Sequence, residues 1–540
     1  MNYFWMYFWI VVYLGITALL AYIAFRQTKS NRDYLIAGGD THPFIMAMAY
    51  GSTFISTSAI VGFGGAAAAM GMGVLWLTFL NIMVGIFIAF ILYGKRTLAI
   101  GRNLDAHTFP EFMARRFESP FIQRFTGAVI FLAMPLYAAA VIIGAARFME
   151  EALKMNYATA VIVFSLIVAA YVITGGLKGV VYTDAFQGTI MFIGMSILLV
   201  TTYVKLGGVT GAHEALTALA SKVPAKMAAT GHQGWTMMPK FASPSWWTLV
   251  TTIVAGVGIG VLAQPQLVVR YLTVKSGKEL NRAVGIGGVF ILFMTGVSFV
   301  VGALTNVYFN NTAGKIAVAM VADPVTKVPN IDKIIPLYIT QSMPEWFSYL
   351  FMLTLLSAAM STASGQFHVM GSAMTRDLYQ TITGKTDITN VMTLNRISIL
   401  VSLVISVWLA FILPGGIVAV ATAIFFGICA AAFLPAYTAG LFWKRATRLG
   451  AVASVLVGFF TSMFLIVFVH AKEAAALGIA KALFGKATLF GAPWTVIDPI
   501  VIALPLSAIT MIVVSLATQP MADTHVSKCF SGSSRGPVQA

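Results

Sequence analysis

The sequence predicts an all-α polytopic membrane protein of about 13 transmembrane helices, built on two five-helix repeats of opposite orientation, each opening with a broken helix. Three observations carry this prediction. Of 540 residues, 59% are hydrophobic and only 10% charged, where a soluble chain carries about 25% charged residues. The charges that are present divide the chain into long charge-free blocks. Two of those blocks contain a polar or glycine-rich interruption, and the interrupted helices stand five apart.

The charge-free blocks are 3–25, 41–94, 125–146, 155–177, 185–204, 241–269, 283–314, 346–375, 397–443, 449–471 and 499–522. A spanning helix needs about 20 apolar residues, so nine blocks hold one helix each. Blocks 41–94 and 397–443 hold two each, divided at Met70-Gly71-Met72-Gly73 and at Pro414-Gly415-Gly416. No basic segment precedes the first block and Arg26 follows it, so it reads as a helix with its N-terminus outside rather than a signal peptide. With that orientation the inside loops hold 22 Lys and Arg and the outside loops 12, as the positive-inside rule requires. Arg270, Lys275, Lys278 and Arg282 form one of the inside clusters. The expected setting is a cell inner membrane with the C-terminus cytoplasmic. The net charge of +16 is met by anionic lipid at the cytoplasmic loops and requires no nucleic acid.

The resulting organisation is an N-terminal helix and loop (1–43), a first repeat (44–204), an outside loop (205–245), a second repeat (246–443), two further helices (444–522) and a tail (523–540). Residues 213–228 and 314–339 are candidates for surface helices. The tail is short and polar and is expected to be disordered. Cys429 and Cys529 form no disulfide framework. An enzyme would need paired carboxylates, an activated nucleophile or metal-ligand spacing. The apolar blocks offer His368 and His470 without an acidic partner, so an enzyme is not expected.

The first interruption is Gly51-Ser52-Thr53-Phe54-Ile55-Ser56-Thr57-Ser58. The second runs from Gly256, Gly258 and Gly260 to Gln264-Pro265-Gln266. Unwound backbone survives in lipid only where protein or a polar cavity satisfies it. Paired broken helices in an inverted repeat point to a binding site at the bilayer midplane.

Four segments then carry a specific resemblance. GSTFISTSAIVGFGG (51–65), GGLKGVVYTDAFQG (175–188), AAMSTASGQFHVMGSAMTRDLY (358–379) and LFWKRATRLG (441–450) resemble, in order and spacing, the motifs of the sodium/solute symporter family, whose fold is LeuT-like. The resemblance implies sodium-coupled uptake of a small organic solute by alternating access. It implies a sodium site made by the carbonyls of Ser52, Ile55 and Ala358 and the hydroxyls of Ser361 and Thr362, all hard oxygen donors. It implies that Asp184, with Ser364, lies on the sodium exit route or forms a second sodium site, although Gly365 lacks the second hydroxyl of that pair. Read locally, Asp184 with Gln187 also fits an N-cap and capping box.

Segments 53–66 and 144–151 are most similar to the pantothenate and monocarboxylate branch, so a carboxylate is the expected solute. A proline-like amino acid is the alternative, and a transporter-like sensor is a further reading that the short tail argues against. In the family's sugar transporters a tyrosine gate stands where Gly260 stands here. The candidate solute-binding residues are Phe54, Thr57, Ser58, Gln264, Gln266, Gln366 and His368. Ionisable groups inside spanning helices are functional by default, which singles out His368.

Overall fold

The computed structural model describes residues 3–27, 31–385 and 388–531. Lys29 and the tail residues 532–540 lie outside them. Among the described residues, eleven helices are long and apolar enough to cross a membrane. The bent pair Pro43–Phe54 and Ser58–Met70 forms a twelfth crossing, and the short apolar segment Tyr157–Ala170 stands where the sequence places one more.

The helices used below are α1 (Tyr3–Gln27), α2 (Pro43–Phe54), α3 (Phe63–Met70), α4 (Pro120–Leu153), α5 (Tyr157–Lys205), α6 (Gly277–Ala313), α7 (Glu345–Ser372), α8 (Ile388–Ile412), α9 (Val418–Phe442), α10 (Arg448–Phe468), α11 (Ile500–Ala517) and α12 (Asp523–Phe530). Helix α5 is one helical run of 49 residues, enough for two crossings at about 1.5 Å per residue. The windows through α7 and α9 are each 89% buried, against 22% for α1 and 28% for α11. The shared apolar pattern therefore hides two kinds of helix: α7 and α9 form the centre, and α1 and α11 are largely unburied.

The first break is made by identifiable local chemistry. The His42 side chain and Pro43 start α2. The helix ends at Ile55, whose ψ of 88° leaves the helical region. Ser56 Oγ then accepts from Ser58 N–H at 3.1 Å, restarting the chain as a short π-turn (Ser58–Gly62) that leads into α3. The two halves bend by 52°. The second break lies at Gln264, which is extended at φ −74°, ψ 114°, between a 3-10 turn (Val261–Ala263) and the Pro265 start of the next turn. Pro265 cannot donate to the preceding turn, so the helix stops there.

The chain segments flanking the two breaks meet. Thr41 N–H donates to Thr273 O at 2.9 Å, and Arg102 donates to Val274 O and Lys275 O, each at 2.7 Å. At the opposite end, the segment Ile331–Lys333 packs on α3. A Cβ at Gly65 would stand 2.3 Å from Ile331 O, so only glycine permits this approach.

Two expectations need correction here. The described part of the tail is helical and packed: α12 buries Cys529 and Phe530, Arg116 lies over the Phe530 ring at 5.2 Å, and Asn103 Nδ2 donates to Cys529 O at 3.1 Å. His470 also has an acidic partner. Its Nδ1 bonds Glu473, one turn on in the adjoining helix Ala471–Leu477, with the buried Asp498 close enough to interact electrostatically.

Candidate site between the two broken helices

Hydroxyl groups of α7 meet freed carbonyls of α2. Ser361 Oγ donates to Ser52 O at 2.8 Å and lies 3.3 Å from Ala358 O. Thr362 Oγ1 donates to Thr53 O at 2.9 Å. Ser52, Ala358, Ser361 and Thr362, four of the five residues that the resemblance implies, thus lie together. The carbonyl facing Thr362 is that of Thr53, and the Ile55 N–H closes the helix on Gly51 O at 2.8 Å. Every donor in this set is a neutral hard oxygen, which is the chemistry an alkali cation requires.

Thr53, which the sequence reading passed over, joins this set to a charged centre. Its hydroxyl donates to Asp184 Oδ2 at 3.1 Å and lies 3.3 Å from Ser361 O. Arg270 Nη2 donates to the same hydroxyl and to Asp184 Oδ2, the latter at 2.7 Å. Ser364 Oγ sits 3.5 Å from Asp184 Oδ1 and donates to Ser361 O at 3.0 Å. Arg270 is therefore not a loop residue of an inside cluster. It is fully buried, 2.7 Å from a fully buried carboxylate. Asp184 is likewise no N-cap: it lies inside α5, and Gln187 Nε2 turns away to Tyr13 OH at 3.1 Å. Gly365 makes room for the pair, since a Cβ there would stand 3.3 Å from Arg270 Nη2 and 3.2 Å from Thr53 Cγ2.

Around the breaks the candidate solute residues are all buried. Thr57 Oγ1 donates to Val141 O at 2.8 Å, and its Cβ would stand 2.9 Å from a Cβ at Gly144, so the glycine of segment 144–151 seats the first break. Gln266 Nε2 donates to Gln264 Oε1 at 3.2 Å. The Tyr137 ring packs 5.9 Å from Phe425 and 5.4 Å from Phe426, and its hydroxyl reaches Ser56 Oγ at 3.5 Å. Gly260 is pressed against α9, where a Cβ would meet Phe426 O at 2.6 Å. Phe54 closes α2, and His368 lies within electrostatic reach of Arg270. Gln366 Nε2 and Oε1, Arg270 Nε and Nη1, Gln266 Oε1 and Ser58 Oγ are buried without a hydrogen-bond partner. Buried polar groups are nearly always paired, so these atoms keep hydrogen-bonding capacity beside the two breaks. Tyr137, Phe425 and Phe426 were not signalled by the sequence, because aromatic residues are common throughout spanning helices.

Two interrupted helices, with freed carbonyls of the first met by buried hydroxyls of α7 and a buried ion pair beside them, are the arrangement of a secondary transporter. The profile of the Sodium:solute symporter family matches residues 34–458. The chain belongs to that family; it is a multi-pass, sodium-coupled transporter and not an enzyme. It is 27% identical over 461 residues to the sodium/pantothenate symporter of Haemophilus influenzae, covering 83% of this chain and 88% of that one. It is also 27% identical over 459 residues to the osmoregulated proline transporter OpuE of Bacillus subtilis, covering 83% and 87%. A solved Na+-coupled sialic acid symporter shares the fold with a TM-score of 0.73 at 18% identity, covering 95% of this chain and 98% of that one.

Proposed function

We propose that this chain imports a small carboxylate, such as pantothenate or a monocarboxylate, together with one sodium ion. The observation that carries this reading is the charge balance of the buried centre. Asp184 and Arg270 cancel each other within the protein. A sodium ion held by Ser52, Ile55, Ala358, Ser361 and Thr362 adds one uncompensated positive charge, and a buried charge is costly unless paired. A carboxylate solute supplies the missing negative charge, while a sugar or a zwitterion leaves it uncompensated. The pairing of Asp184 with Arg270, and the absence of a hydroxyl at Gly365, favour an exit-route role for Asp184 and Ser364 over a second sodium site. Phe54, Thr57, Ser58, Gln264, Gln266, Gln366 and His368 line the solute's path in this reading. Similarity to proline transporters supports a second reading, a sodium/amino-acid symporter.

The N-terminus lies outside and the C-terminus in the cytoplasm, in a cell inner membrane. External labelling of a cysteine placed at position 100 or 280 in intact cells would reverse that orientation. For the solute, the test is thermal unfolding of the purified protein with carboxylates, amino acids and sugars, with and without sodium. A ligand confined to the folded state stabilises it by about 2.7 kcal/mol at a hundredfold excess over its Kd. Carboxylates are expected to stabilise only when sodium is present. Sodium-dependent stabilisation by amino acids alone overturns the carboxylate assignment.

A further inference from the structure

Outside the transport site, a cavity of about 750 Å³ opens between α1, α5, α7 and α8. Ala18 and Ala21 of α1 and Ala170 of α5 line it, and their small side chains create its space. Met360 of α7 lies against it beside the ion-site residue Ser361, and Tyr13 of α1 donates to Met360 Sδ at 3.7 Å. Because α1 is mostly unburied, this groove faces the hydrocarbon phase rather than the solute path.

One end of the groove carries a charge. Arg396 lines it, is exposed, and has no ion pair or hydrogen bond among the described residues. It stands three residues inside the apolar stretch Thr393–Ile412, about one helical turn from its end. Tyr22, exposed and one turn before Arg26, lines the same end. An arginine at this depth must reach water or meet an anion. A tyrosine and a basic residue at one level also mark the headgroup zone. From Tyr22 to Leu14 the groove follows α1 for about 12 Å into the apolar layer, so an apolar chain attached to an anionic head fits both ends.

We infer that this groove binds an anionic phospholipid, with an acyl chain along the alanines of α1 and α5 and the phosphate on Arg396. The guanidinium presents paired N–H donors that match phosphate oxygens. Among the described residues no carboxylate lines the groove beside Arg396, so the ammonium of a zwitterionic head finds no partner among them.

The test is native mass spectrometry of the full chain released from bilayers of equal phosphatidylglycerol and phosphatidylethanolamine. The wild type is expected to retain phosphatidylglycerol with roughly fivefold preference, the worth of one basic side chain at an anionic surface. Arg396→Gln is expected to abolish that preference. The double variant Ala18→Phe, Ala170→Phe fills the groove from two exposed positions and is expected to lose both lipids. An unchanged thermal midpoint shows that the variants are folded. Equal retention of the two lipids by the wild type, preference persisting in Arg396→Gln, or full retention by the filled variant each overturns the assignment.

Discussion

Asp184 and Arg270, 86 residues apart in sequence, form an ion pair of 2.7 Å in which neither side chain is more than 1% exposed. Removing one partner of a buried pair leaves the other charge uncompensated, at a cost of about 3–5 kcal/mol. Asp184→Asn and Arg270→Gln are each expected to lower the unfolding midpoint sharply. The double variant should lose less than the sum, because no lone charge remains. A double-mutant cycle of thermal unfolding measures the coupling. Additive losses would show that the two groups act independently.

The oxygen set predicts a selective change in ion dependence. Sodium bound at the proposed site would bridge α2 and α7 and stabilise the arrangement in which they meet, and linkage then requires sodium and solute to raise each other's affinity equally, by about 5- to 150-fold. Ser361→Ala and Thr362→Ala are expected to raise the sodium concentration for half-maximal uptake several-fold, with much of the solute affinity returning at saturating sodium. Thr362→Ser keeps the oxygen and should be milder; Thr362→Val keeps the shape and should resemble alanine. Well-expressed alanine variants with wild-type sodium dependence would remove these hydroxyls from the site.

These two sites show what the chain made legible. The break near Ser56 was readable because it is a local pattern, and the hydroxyls of Ser361 and Thr362 because segment 358–379 carries the family resemblance. Arg270 was not, since basic residues at the edge of an apolar block are ordinarily loop residues, and only tertiary contact reveals a partner in α5. Asp184 read as a helix cap because Lys178 ended the preceding block, whereas the helix runs through both. His470 was read without a partner because Glu473 falls just beyond the block that ends at residue 471.

Close packing of the half-helix α3 on α6 gives a steric prediction. A Cβ at Gly302 would stand 2.2 Å from Gly64 O, while at Gly296 on the same helix nothing lies within 4 Å. Gly302→Ala is expected to destabilise by about 1–3 kcal/mol through backbone displacement and to lower uptake by moving α3. Gly296→Ala should be neutral or slightly stabilising, as alanine is the better helix former. Similar unfolding midpoints for the two variants would show that α3 and α6 yield easily at this contact.

The segment that covers α3 carries a pH dependence. Asp332 is fully buried and faces the backbone N–H groups of Val418, Gly416 and Ile417 at the start of α9, with Arg147 also near. Burial dominates and lifts its pKa from 3.8 to about 6, only partly offset by those N–H groups and by Arg147. Between these values the folded protein keeps a proton that the unfolded chain releases. Stability from this group is therefore fully present below about pH 4 and is lost as pH rises through about 6. Amide exchange in residues 316–342, corrected for intrinsic rates, should be slower at about pH 5 than at about pH 7.5. Asp332→Asn carries no titratable proton and should show the same protection at both. A wild-type segment equally protected at the two pH values would mean that Asp332 stays ionised, held by the α9 N-terminus.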